Sequence, residues 1–169
     1  MQSNNSQKNC ILSSETIKRK LKRMALEIAE QNADEKELII AGINGNGELL
    51  AQKLIEELQQ VVPTKLSKVV IQLNKKQPLD AQLSTPIDIN DKVVIIVDDV
   101  SNSGRTLLYG LKPFITNLPK KIQTAVLVER SHKLFAIQPD YVGLSVATTL
   151  QEHISVETEG DQITGAWLH

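Results

Sequence analysis

Aromatic residues make up only 3% of this 169-residue chain, cysteine occurs once, and the formal net charge is -1. Each scarcity excludes something. A single Cys10 has no partner within the chain, so no internal disulfide is possible and nothing points to an oxidising compartment. No apolar stretch reaches the roughly 20 residues a spanning helix needs, and the polar opening from Met1 to Leu12 lacks the apolar run of a signal peptide. The expectation is a soluble, cytoplasmic protein with no membrane partner. The near-zero charge excludes a globally basic nucleic-acid binder while leaving a local basic patch open. With so few aromatics, the core must be built from Ile, Val, Leu and Ala, a composition suited to α/β layering. The length fits one domain, expected over residues 13–169 behind a frayed polar tail at 1–12.

Periodicity supports that class. Ile17, Leu21, Met24 and Ile28 recur at helical spacing, predicting an amphipathic helix over 15–32 with Ser13 or Ser14 as its N-cap. Leu38 to Ile43 is a short apolar run that leads into Gly45 and Gly47, followed by a second helical pattern through Leu58. This is the strand, glycine loop and helix of a βα unit. Leu66 to Leu73 predicts another strand, Asn74 to Pro86 a polar loop, Val93 to Val97 a buried parallel strand, Gly104 to Asn117 a helix and Ile122 to Val128 a further buried strand. Shorter strands are expected at Asp140 to Val142, Ile154 to Val156 and Ile163 to Leu168. Alternating strands and helices imply a mainly parallel sheet with helices on both faces, whose ligands sit at the carboxyl ends of the strands.

The segment from Val93 to Thr106 carries the chemistry. It reads as an apolar strand, two carboxylates (Asp98, Asp99), then Val100, Ser101, Asn102, Ser103, Gly104, Arg105 and Thr106 opening a helix. Carboxylates at a strand end can accept hydrogen bonds from vicinal hydroxyls, while the hydroxyls and backbone NH groups of 101–106 suit an anion at a helix N-terminus. A ribose 5-phosphate satisfies both halves. Response-regulator receivers and P-loop ATPases also end an apolar strand in acidic residues. However, the chain has no G-x-x-x-x-G-K-[ST] sequence, and a receiver carries its acidic pair near the N-terminus.

This segment resembles the signature of the type I phosphoribosyltransferases. The stretches Ile122 to Lys133, Asp140 to Gly143 and Leu21 to Ile28 are similar to members that double as pyrimidine-operon regulators and uracil phosphoribosyltransferases. The resemblance covers roughly residues 14–158 and implies that family's fold, with a small hood of C-terminal strands and a homodimer or higher homo-oligomer. It also implies transfer of the phosphoribosyl group of phosphoribosyl pyrophosphate (PRPP) to a nucleobase, uracil first, with Mg2+ as cofactor. On that resemblance Asp98 and Asp99 are catalytic and hold Mg2+ through water, and Val100 to Thr106 bind the 5-phosphate. Asn44, Gly45, Asn46 and Gly47 form the pyrophosphate loop, and Val128, Glu129, Arg130, Tyr141 and Val142 surround the base. The glycine loop reads equally as a plain strand-to-helix turn. His132 fits a surface or capping residue better than a ligand contact, and His153 and His169 carry no pattern.

Two departures accompany the likeness. The family's pyrophosphate loop reads G-[IV]-x-T-R-G, and this chain has Gly42-Ile43-Asn44-Gly45-Asn46-Gly47, with Asn46 where the arginine belongs. The Asn74 to Pro86 loop carries Lys75 and Lys76 but no arginine beside paired acids. The alternative function is a nucleotide-sensing regulator that binds RNA through Lys18, Lys22 and Arg23 on the first helix. The same residues also suit a solvated helix face.

Overall fold

The computed structural model describes residues 8–169. Strand β1 (Asn9–Ser13) leads into helix α1 (Ser14–Gln31), where the Ser13 side chain accepts from the Thr16 amide at 3.2 Å and starts the helix. The stripe Ile17, Leu21, Met24, Ala25 and Ile28 is buried. Strand β2 (Glu37–Ile43), fully apolar after its first residue, is followed by α2 (Asn46–Leu58) and β3 (Lys65–Gln72). The connection to β5 (Val93–Ser101) contains one 3-10 turn at Pro78–Asp80 and a two-residue strand, β4 (Gln82–Leu83). Two short helices, α3 (Arg105–Gly110) and α4 (Lys112–Ile115), precede β6 (Lys121–Arg130) and β7 (Tyr141–Val146). The chain continues through β8 (Ile154–Glu159) and β9 (Gln162–Leu168).

The main sheet has the order β4-β3-β2-β5-β6-β7, parallel throughout except for β4. Helices α1 and α2 cover one face, where Met24, Ile28 and Leu54 join Ile40, Ile95 and Leu127. The opposite face packs Ile39, Ile96 and Val126 with Leu107 and Phe114. The strand after β2 in sequence lies on one side of β2, and β5 lies on the other. The loops leaving β2 and β5 therefore diverge and open a crevice at the carboxyl edge, the usual ligand position in open α/β sheets.

Four sequence expectations need correction. The tail expected at 1–12 is ordered from Asn9, where β1 pairs antiparallel with β9 and places Leu12 in the core; residues 1–7 lie outside the described residues. The helix expected over 104–117 is divided at Leu111, because Pro113 has no amide to donate back to Tyr109. The Asn74 to Pro86 loop contains the 3-10 turn and β4. The strand expected to stop at Val97 runs on to Ser101, held by pairing of Asp98 with Val126, Val100 with Val128 and Ser101 with Glu129. The last two strands form, with β1, a separate three-stranded hood of order β1-β9-β8.

Candidate functional site

The carboxyl end of β5 folds into a cradle. After Ser101 the chain turns through Gly104, whose φ of +86° is left-handed, and a Cβ there would stand 2.9 Å from Ile137 Cγ2. Only glycine meets both conditions without strain. The Ser103 carbonyl accepts from the Leu134 and Phe135 amides at 3.0 and 3.1 Å, fastening the turn to the segment after β6. Asp98 and residues 100–107 enclose a cavity of about 50 Å³. That exceeds the roughly 10–15 Å³ required by one water and suits a compact anion. Two oxygens in this turn, Ser101 Oγ and Asn102 Oδ1, are buried without a hydrogen-bond partner. Buried polar atoms are nearly always satisfied, so both keep an unused hydrogen-bonding capacity beside the cavity. Ser103 Oγ accepts from the Arg105 amide at 3.3 Å, and the Arg105 guanidinium donates to the Lys76 carbonyl at 3.2 Å.

The acidic pair lies beside this cradle. Asp98 is buried, and its Oδ1 accepts from the Asp99 amide at 2.9 Å. Asp99 Oδ1 accepts from the Val100 amide at 2.8 Å, and its Oδ2 accepts from Asn46 Nδ2 at 3.0 Å. Burial, reinforced by the Asp99 charge and opposed by Lys75, pushes the Asp98 carboxyl up to about 7. The Lys75 ammonium stands 3.4 Å from Asp98 Oδ1 and 3.9 Å from Asp99 Oδ1. Two hard oxygen donors fit Mg2+ of the kind that keeps several waters and is shared with substrate phosphates. No group of three or more His, Cys, Asp or Glu forms a protein-only cage among the described residues.

The glycine loop closes one side of the crevice. A Cβ at Gly47 would stand 2.9 Å from the Val97 carbonyl and 3.0 Å from Asp98 Oδ1, so glycine lets α2 approach the acidic strand. Asn46 joins Asp99 to the hood through the Val156 carbonyl at 2.9 Å. Asn44 is turned toward β3, with its amide donating to the Ile71 carbonyl at 3.0 Å.

The base-side candidates separate into two groups. Glu129 is buried at the end of β6, where Lys133 donates to it at 2.9 Å and Ser145 at 3.1 Å. Arg130 reaches Thr148 Oγ1 at 2.6 Å and the Thr149 carbonyl at 2.8 Å. Both lie on the carboxyl edge that carries the cradle. Val128 is core, and Tyr141 does not close over a base: it is buried at the start of β7, with its hydroxyl bonded to Gln123 at 2.8 Å and Gln31 at 3.1 Å. Val142 is half-buried and gives its carbonyl to Arg23 at 3.0 Å. The last of the basic trio is thus engaged by β7 and by Glu27 at 2.6 Å, whereas Lys18 and Lys22 line a groove of about 320 Å³ with Lys53 and Gln162. Sequence reasoning missed Lys133 and Ser145 as neighbours of the site. Their signal is positional, since each follows or ends a parallel strand at the same sheet edge.

Residues 8–159 match the family model of the phosphoribosyl transferase domain, and the chain belongs to that family. Within it the likeness is to PyrR-type members. The chain is 37% identical over 164 residues to the bifunctional protein PyrR of Staphylococcus carnosus, covering 89% of this chain and 93% of that one. It is 35% identical over 165 residues to PyrR of Bacillus subtilis, covering 90% and 91%. Among solved structures, the hypoxanthine phosphoribosyltransferase of Trypanosoma cruzi matches with a TM-score of 0.77 at 17% identity, covering 93% of this chain and 95% of that one. The hypoxanthine-guanine phosphoribosyltransferase of Bacillus anthracis matches with a TM-score of 0.73 at 21% identity, covering 93% and 96%. The fold is that of the type I phosphoribosyltransferases.

Proposed function

We propose that this chain binds PRPP and nucleoside monophosphate at the end of β5 and transfers the phosphoribosyl group slowly to a nucleobase, uracil first. The observation that carries the proposal is the cradle of Ser101 to Thr106, with two unpartnered buried oxygens, set directly against the Asp98-Asp99 pair. The cradle takes the 5-phosphate, and the carboxylates accept the ribose hydroxyls. Asp98 and Asp99 would hold Mg2+, which when bound would supply charge neutralisation to the diphosphate. Transfer through an oxocarbenium-like state requires no side-chain nucleophile, so the work of this chain is orientation and charge placement. The Asn44 to Gly47 loop offers the leaving group backbone NH groups but no cation. Loss of one charge-assisted contact costs about 1.5–3 kcal/mol, a rate factor of roughly 10–150 if the contact belongs to the transition state. Calorimetry with PRPP and UMP, followed by turnover with uracil, hypoxanthine, guanine and orotate, tests the reading. Failure to bind either phosphorylated ligand overturns it.

The second reading is a nucleotide-sensing regulator that uses the same pocket for its effector and binds RNA through α1. Lys18 and Lys22, which line one groove with Arg19 and Lys53 beside Glu56 and Glu57, favour it. A gel shift with pyrimidine-operon leader RNA should weaken steeply with salt and with Lys18→Ala plus Lys22→Ala, because phosphate contacts release counterions. Salt-insensitive binding, or none, leaves the enzyme reading alone.

A further inference from the structure

One side chain of the glycine loop ties the hood to the acidic pair. Asn46 opens α2, and its Nδ2 donates to Asp99 Oδ2 at 3.0 Å and to the Val156 carbonyl of β8 at 2.9 Å. An amide carries two N–H groups, so both are engaged, by acceptors from two different sheets. Among the described residues, the bond to Val156 is the only hydrogen bond that joins β8 or β9 to the main sheet or its helices. The flanking glycines put the amide in reach. Gly45 turns at φ +89°, and the missing side chain of Gly47 lets α2 start against the Val97 carbonyl. Asp99 is thereby held at both oxygens, Oδ1 by the Val100 amide at 2.8 Å and Oδ2 by Asn46. Each oxygen keeps a second lone pair, and a neutral amide leaves the carboxylate its charge.

We infer that Asn46 is a positioning residue for Asp99: it fixes the carboxylate to receive a vicinal diol and takes its own anchor from the hood. The inference rests on the proposed reading of the crevice and deepens it. A side chain already ordered in the free protein has less freedom to lose on binding, so Asn46 contributes affinity only for ligands that engage Asp99. The cavity beside it is lined by Asp98 and residues 100–107 without Asn46, so an anion held there does not depend on it. Linkage works in both directions. A diol that fixes Asp99 also fixes Asn46 and, through it, the Val156 carbonyl, so the hood responds to what the acidic pair holds.

The test compares wild type, Asn46→Leu and Asn46→Ala by calorimetry with UMP and with 2′,3′-dideoxy-UMP, which lacks the diol. Leucine keeps the shape of asparagine without its donors, alanine serves if the larger apolar side chain disturbs folding, and melting curves verify the fold. Both substitutions should weaken UMP roughly two- to tenfold, the cost of immobilising one side chain on binding, and leave the dideoxy analogue unchanged. Hydrogen exchange gives the second readout: UMP should slow exchange of the β8 amides in wild type but not in either variant. Equal weakening of both nucleotides makes Asn46 a general structural residue and overturns the inference. Unchanged UMP affinity, or β8 protection by UMP that survives the substitutions, also overturns it. A wild-type protein that binds neither nucleotide, or binds both equally, overturns the site reading instead, so the two failures are distinguishable.

Discussion

Replacing Asp98 with asparagine should make the ligand-free protein more stable while removing its ligand binding. The Asp98 side chain is 1% exposed, and its carboxyl titrates near 7 instead of 3.8 because burial and the neighbouring Asp99 disfavour its charge. A group whose folded-state value lies above its unfolded one supports the fold fully only below the unfolded value, and that support is lost as pH rises through the folded value. The gap, at about 1.4 kcal/mol per pH unit, costs the native state about 4 kcal/mol at pH 8, about 2 kcal/mol at pH 5.5 and almost nothing below pH 4. Asparagine keeps the oxygen that accepts from the Asp99 amide and removes the charge. For a chain of this size, about 4 kcal/mol corresponds to a rise in Tm of roughly 8–16 °C. Thermal melts of wild type and Asp98→Asn across pH 4 to 8 should therefore diverge with increasing pH, and calorimetry should find no PRPP binding by the variant. Identical Tm values at pH 8, or a gain independent of pH, would refute the argument that this carboxylate is held against its own electrostatic cost.

Thr106→Val should lower affinity for nucleoside monophosphate tenfold or more, from a loss of about 1.5–3 kcal/mol, without changing affinity for the nucleoside lacking the phosphate; calorimetry with both ligands decides. Ser101→Ala should remove a buried hydroxyl that has no partner in the free protein, so urea midpoints should stay equal or rise while phosphate affinity falls. Gly104→Ala should destabilise by about 1–3 kcal/mol in urea unfolding, because φ of +86° and a Cβ 2.9 Å from Ile137 are both unfavourable.

Much of the architecture was legible because its signals are local. The stripe from Ile17 to Ile28, the apolar runs of β2, β5 and β6, and the acid, hydroxyl and glycine order after Val97 each declare themselves within a dozen residues. The missed features depend on distant partners. The segment Asn9 to Leu12 reads as a polar tail because only Leu12 is fully buried, and its strand character comes from β9 at the other end of the chain. Asp98 to Ser101 reads as a loop because carboxylates disfavour strands, and pairing with β6 overrides that preference. Tyr141 looks like a base contact by likeness of sequence, and its burial against Gln31 and Gln123 is visible only once α1 lies over β7. Lys75 is legible only as a cation of the Asn74 to Pro86 loop; its contact with the acidic pair depends on β3 lying next to β2 in the sheet.

The hood unites the first strand of the fold with its last two. Strand β9 lies between β1 and β8, so Asn9 to Ser13 must wait for a partner until about 150 residues further on have been made. A nascent chain that has emerged as far as β7 already contains every residue of the cradle and the acidic pair. The part of the core cluster that Ile154, Val156, Ile163 and Ala166 will complete is still exposed. Asn46 at that moment lacks the Val156 carbonyl that orients it toward Asp99. The crevice therefore acquires its finished wall only when the last strand arrives, and a chain truncated within β8 or β9 is expected to be a sticky intermediate rather than a smaller version of the same binding protein.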